Sequence, residues 1–238
     1  MRAGAVCRRR WSPGVAVVAL ALVVALASDA AGATARPADR RLVRAGLIRV
    51  ADVGDTWQSG TSSTANRFGP PRLTECQLVT RATHRQRADS GVSGALVNGD
   101  ATVSNSVIVY RSALAASSAF SALSSEAATT CLRGALLDKL TTSAAASATA
   151  VSIVSTPPPR LGDQRTAFLV DAKGASSGNE TVGVNATLVV LRIGRVVVAA
   201  TFAGTTAPPV DAVEQALLPA ARRVAARQTS VPAVTKPK

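Results

Sequence analysis

Few side chains in this 238-residue chain could carry out chemistry. They comprise three cysteines, a single histidine and a scatter of serines. Cys76 lies in "LTECQLVTRA" and Cys131 in "EAATTCLRG", while His84 sits among Arg81, Arg85 and Arg87. A cysteine can be a nucleophile, a metal ligand, half of a disulfide or core packing. Catalysis would call for a base such as His84 within reach. Zinc would call for about four ligands, and two distant cysteines with no second pair do not supply them. "SGVSGA", Ser90 to Ala95, is one residue short of a nucleophile elbow. His84 reads as an exposed helix-end residue. Gly54-Asp55, Gly99-Asp100 and Gly162-Asp163 lack calcium-loop spacing and read as turn formers. No phosphate-binding glycine loop and no paired carboxylates on one face are visible, so no cofactor or metal is expected and the chain is read as not an enzyme.

The N-terminus settles which role the cysteines are assigned. Arg2 and Arg8 to Arg10 precede the apolar run Val15 to Ala27, and small residues with a cleavage site after Ala33 follow. That is the order of a secretory signal, and the run is shorter than the about 20 residues of a membrane span. Residues 1–33 are expected to be a signal peptide and 34–41 a flexible leader. Residues 42–227 would form one domain and 228–238 a disordered tail. The expected localisation is extracytoplasmic, with no integral membrane segment after processing. Cys7 leaves with the signal. Cys76 and Cys131 remain as an even pair in an oxidising compartment, where a disulfide is the default. Such a bridge closes a loop whose entropy is worth about 4 kcal/mol.

The elements around them follow from periodicity. Ala116, Phe120, Leu123, Ala127 and Cys131 fall on one face of a helix expected over 112–133. Leu42 to Val53 predicts a short helix, and Trp57 is placed to anchor the first strand. "RQRADSG" reads as a polar connector. Asn98-Gly99-Asp100 between apolar runs predicts a hairpin with Asn-Gly at the turn centre. The second strand of that hairpin, up to Tyr110, ends in an unbroken apolar run and should be covered on both faces. Ser143 to Ala150 is featureless. Strands are expected over 151–154, 166–172, 182–193 and 196–202, with a tight turn at Gly194-Arg195. A closing helix carries Val210, Val213, Leu217, Ala220 and Val224 on one stripe. Tight turns between neighbours mean antiparallel pairing, so the fold class is α+β. It is read as an α/β sandwich with one disulfide, in which helices pack on a face of one antiparallel sheet.

Charge bears on partners. Twenty-seven Lys and Arg outweigh 14 Asp and Glu, for a net +13, and only 3% of residues are aromatic. An exported chain without interleaved aromatic and basic residues is a poor nucleic-acid binder. A basic exported domain meets anionic lipid headgroups or wall polymers. Arg81, Arg85, Arg87, Arg222, Arg223 and Arg227 are the candidate anionic-surface contacts.

The segments "LIRVADVGDTW", "SALAASSAFSALSSEAATTC", "RLGDQRTAFLV" and "VVLRIGRVVVAATFAG", spread over residues 42–227, resemble a known family. It comprises the extracellular sensor-like domains of some actinobacterial serine/threonine kinases and their free-standing secreted relatives. The resemblance implies an α/β sandwich with a cleft and a ligand- or signal-binding role without catalysis. Kinase-linked members carry two disulfides, whereas one is possible here, and no kinase domain is present. The expected function is a secreted cell-envelope domain that binds an amphipathic or anionic envelope ligand between helices and sheet. The alternative is an interaction module docking to an envelope protein or complex through arginine surfaces.

Overall fold

The computed structural model describes residues 36–60, 81, 86–142, 146–176, 181–204, 206 and 208–229. The expected signal peptide, Cys76, His84, Arg85 and the expected tail from residue 230 lie outside the described residues. The described elements are helices α1 (Pro37–Gly46) and α2 (Val50–Val53), strands β1 (Gln58–Ser59), β2 (Arg87–Val92), β3 (Leu96–Asn98) and β4 (Ala101–Tyr110), helices α3 (Ala113–Leu123) and α4 (Glu126–Thr142), strands β5 (Ala146–Thr156), β6 (Gln164–Ser176), β7 (Thr181–Ile193) and β8 (Val196–Gly204), and helix α5 (Val210–Thr229).

All eight strands join one antiparallel sheet in the order β1-β3-β4-β8-β7-β6-β5, with β2 also paired to β4. The α+β class therefore holds. The helices, however, cover both faces of the sheet, not one. Val196, Val198, Ala200 and Phe202 of β8 pack with Leu42 and Val43 of α1 and Val213, Leu217 and Val224 of α5. The alternate residues Val197 and Ala199 pack with Ala116, Phe120 and Leu123 of α3. Farther along that second face, Leu132 and Leu136 of α4 cover Phe168, Val170 and Leu188. Alternation along a strand sends successive side chains to opposite faces. A strand that is apolar at nearly every position and buried from Val196 to Ala203, as β8 is, needs cover on both.

Several expected boundaries move. The helix over 112–133 is two helices. At the break, Ser124 Oγ donates to Phe120 O, Ser125 Oγ donates to Ala122 O, and Ser125 Oγ accepts from Ala128 N. Serine hydroxyls thus end one helix and cap the next. The predicted stripe breaks with it, leaving Ala127 exposed and Cys131 half-buried. Leu42 to Val53 is likewise split, because the chain is extended at Leu47 and Arg49. The leader loses Pro37 to Arg41 to α1, where Asp39 is buried, and Gln228 and Thr229 belong to α5 rather than the tail. The connector "RQRADSG" is largely strand β2, and Ala146 to Ala150 joins β5. The hairpin at 98–101 forms one residue later than read. Asn98 pairs with Ala101, so Gly99 and Asp100 are central, and only Gly99 takes positive φ (61°). Glycine first is the demand of a type II′ turn.

Candidate functional site

The α1–α2 junction is tied to the sheet and to α5 by two polar side chains. Asn105 of β4 is fully buried. Its Oδ1 accepts from Ile48 N at 2.9 Å and its Nδ2 donates to Gly46 O at 2.7 Å. A buried amide in a valine-rich strand is tolerated because both ends find backbone partners. Arg223 of α5 reaches the same junction. Its Nη1 and Nη2 donate to the two oxygens of Asp52 at 2.6 and 2.7 Å, and its Nε and Nη2 donate to the carbonyls of Ala45 and Leu47 at 3.0 Å. Asp52 is the third residue of α2 and also accepts from Arg49 N at 2.9 Å, closing the helix start. Burial pushes the Asp52 carboxyl up. The Arg223 and Arg49 hydrogen bonds and charges outweigh it and hold the carboxyl below the usual carboxylate range.

Beside this clasp lies an open groove of about 590 Å³. One wall is Ala51, Asp52 and Val53 of α2 with Trp57 beyond it. The floor is Ala101 and Thr102 at the start of β4 with Phe202 and Ala203 at the end of β8. The other wall is Thr206, Pro208 and the first turns of α5, with Ala212, Gln215 and Ala216. Trp57 is half-buried and packs against the core cluster, so it anchors the approach to β1 as expected. Small alanines leave the space open, two aromatic rings give it apolar surface, and Thr102, Thr206 and Gln215 supply neutral polar groups. Among the described residues its one charged lining residue is Asp52, whose carboxylate already faces Arg223.

No family model matches the chain, and no curated protein matches it. Among solved structures it is similar to the extracellular domain of PknH from Mycobacterium tuberculosis. The two share 13% identity with a TM-score of 0.43, over 81% of this chain and 98% of that one. It is a distant likeness of outline.

Of the six candidate arginines, Arg85 lies outside the described residues, and Arg87, Arg222, Arg223 and Arg227 are divided between β2 and α5. Arg223 is occupied in the internal clasp. Arg87 is half-buried on β2 and donates to Ser90 Oγ. Its register partner is Tyr110, which places it on the α3 side of the sheet. Arg222 and Arg227 are exposed on α5, across the sheet from Arg87, and Arg81 is exposed. Cys131 is half-buried on α4; the expected bridge to Cys76 falls on a residue outside the described ones. Ser93 of "SGVSGA" is a strand clamp, its Oγ accepting from Asn105 N at 2.8 Å. The three Gly-Asp pairs are turns, with φ of 103°, 61° and 74° at Gly54, Gly99 and Gly162. Asp163 accepts from Gly194 N at 2.7 Å and pairs with Arg192 at 3.3 Å. Among the described residues no three His, Cys, Asp or Glu side chains cluster as metal ligands, and no helix is long and apolar enough to cross a membrane. Sequence reading missed Asp52, Asn105 and the groove residues Phe202 and Gln215. Only Asn105 carried a signal, as an amide at an apolar beat of "VSNSV".

Proposed function

We propose that the chain is a secreted, non-catalytic domain of the cell envelope that holds an amphipathic, uncharged ligand in the groove between α2, α5 and the sheet. The observation that carries this reading is the lining. Two aromatic rings, a bed of alanines and three neutral polar side chains surround the space, and the one carboxylate there is neutralised by Arg223. Ligand sites are commonly concave and apolar with a few placed polar groups. Among the described lining residues there is no uncompensated cation, which favours an uncharged ligand over an anionic one. The secretory signal and the resemblance of the sequence to sensor-like domains agree with this role. The test is mass spectrometry of the purified protein after exposure to envelope extracts, alongside Ala212→Trp, which fills the groove from an exposed position of α5. The wild type should carry a ligand that the variant loses. A wild type that retains nothing, or a variant that retains the same molecule, refutes the reading.

One observation favours the second reading, docking to an envelope protein or anionic surface. Helix α1 packs on α5, and Arg40, Arg41 and Arg44 of α1 are exposed, as is Arg222 of α5. Salt separates the two readings. Capture through these arginines weakens steeply as ionic strength rises, whereas groove binding of an uncharged ligand does not.

A further inference from the structure

The two edges of the sheet are built differently. At one edge, β1 has two residues, and β2 beside it carries Arg87 and Asp89 and a register shift between them. Short strands, charges and bulges are the usual means of keeping an edge from pairing with another chain. The other edge is β5, eleven residues from Ala146 to Thr156, and it uses none of the chemical devices. It contains no charged residue, no glycine and no proline. Its one irregularity against β6 lies near its start, between Ala148 and Ala150, so Ala150 to Thr156 is a regular run. Among the described residues nothing pairs with its outer side. Ser152, Val154 and Ser155 are exposed. Val154 is 57% exposed and sits in register beside Leu169 of β6, itself 38% exposed, on a part of the sheet face that no described helix covers.

We propose that β5 is the seam of a homodimer, in which Ala150 to Thr156 pairs antiparallel with the same run of a second copy. An unpaired strand edge presents a row of backbone N–H and C=O groups that an extended chain satisfies. A two-fold contact brings a strand against itself, so every residue meets its own kind of surface. A charged edge would repel its copy in a chain this basic; β5 is neutral along its whole length, and Ser152, Val154 and Ser155 expose uncharged side chains. Pairing continues the sheet from one copy into the next and draws the two Val154–Leu169 pairs toward the shared seam. The edge lies three strands from β8, well away from the groove, so dimer and ligand site are independent.

The test is sedimentation equilibrium of the purified protein from low to high micromolar concentration, with hydrogen exchange read on the same samples. The expected wild-type mass doubles with concentration, and exchange of the Val151 to Thr156 amides slows on the order of tenfold as it does. Ser152→Lys combined with Val154→Lys places like charges at the seam from exposed positions. That variant should remain monomeric with a wild-type circular dichroism spectrum. A wild type that stays monomeric throughout overturns the proposal. So does a dimer that survives the double lysine change, or one whose β5 amides exchange at the same rate at every concentration.

Discussion

Replacing Arg223 by alanine tests the clasp where the α1–α2 junction meets α5. The substitution deletes both bonds to Asp52 and leaves the carbonyls of Ala45 and Leu47 without that donor. It also strands a carboxylate whose side chain is only 5% exposed. Removing one partner of a buried ion pair costs about 3–5 kcal/mol; Arg223 is 27% exposed, so water enters its place and the lower end, about 3 kcal/mol, is expected. Arg223→Lys keeps the charge but not the fork, and should fall between wild type and alanine. Asp52→Asn keeps the shape and removes the charge. The pH dependence separates charge from packing. The Asp52 carboxyl is held below its ordinary value of 3.8 in the folded chain. Its contribution is therefore present above 3.8 and is lost as pH falls through the lower folded value. Urea denaturation followed by circular dichroism at neutral pH and at a series of acidic pH values reads both effects. The gap between wild type and Asp52→Asn should be widest at neutral pH and close in acid. An Arg223→Ala variant within about 1 kcal/mol of wild type would refute the argument, since surface pairs are worth that little. A gap that does not change with pH would refute it equally.

Three other perturbations probe different parts of the fold. Gly162 has φ of 74°, and a Cβ there would lie 2.6 Å from the Arg192 carbonyl oxygen, so Gly162→Ala should cost about 2 kcal/mol or more in urea denaturation. The Tyr110 hydroxyl is buried without a hydrogen-bond partner among the described residues, and burial pushes its pKa well up. Tyr110→Phe should therefore match or exceed wild-type stability, and should lose less stability than wild type as pH rises above the ordinary tyrosine value of 10.0. For the cysteines, intact mass of natively secreted protein should show Cys76 and Cys131 without free thiols, and Cys76→Ser should lower stability by up to about 4 kcal/mol. Two free thiols by alkylation would remove the bridge.

What was readable in the sequence follows from how local each signal is. The Gly194-Arg195 hairpin and the Gly-Asp turns were legible because positive φ is a demand of the backbone alone. The stripe on α5 was legible because helical periodicity survives over twenty residues; Val213, Leu217, Ala220 and Val224 are all buried. Strand β2 was not, because "RADSGV" has neither alternation nor β-branched density. It becomes a strand by pairing with β4, a decision made between segments. The start of β5 was missed for the same reason: "ASATA" acquires its conformation by pairing with Lys173 to Ser176 of β6. The break at Ser124-Ser125 was written locally and misread, since two serines in an alanine-rich stretch also fit a continuous helix. The groove residues had no signal at all. Ala51, Phe202 and Ala212 come from three distant segments that only the tertiary fold brings together.

The arginine content of the chain invites a surface explanation, yet the best-defined arginines face inward. Arg223 holds Asp52, Arg195 donates to buried Asp39 at 2.6 Å and to Tyr110 O at 3.0 Å, and Arg192 donates to Gln164 and Gly194 O. Arg223 and Arg195 join elements far apart in sequence, Arg192 joins neighbouring strands, and each does so with a fork that binds two acceptors at once, a geometry lysine lacks. A core of alanine and valine with few aromatic rings offers little large side-chain interlocking, and multi-acceptor arginines fix the relative placement of its layers instead. The Asp52 clasp does this at the edge of the groove, so it sets two properties together. It pins α2 against α5, which fixes the spacing of two groove walls, and it cancels the charge of Asp52 on the lining. Arg223→Lys is thus expected to disturb groove binding more than its cost in stability suggests, because the ammonium cannot cover both carboxylate oxygens. Equal losses of stability and ligand retention across Arg223→Lys and Asp52→Asn would show instead that the clasp matters only for folding.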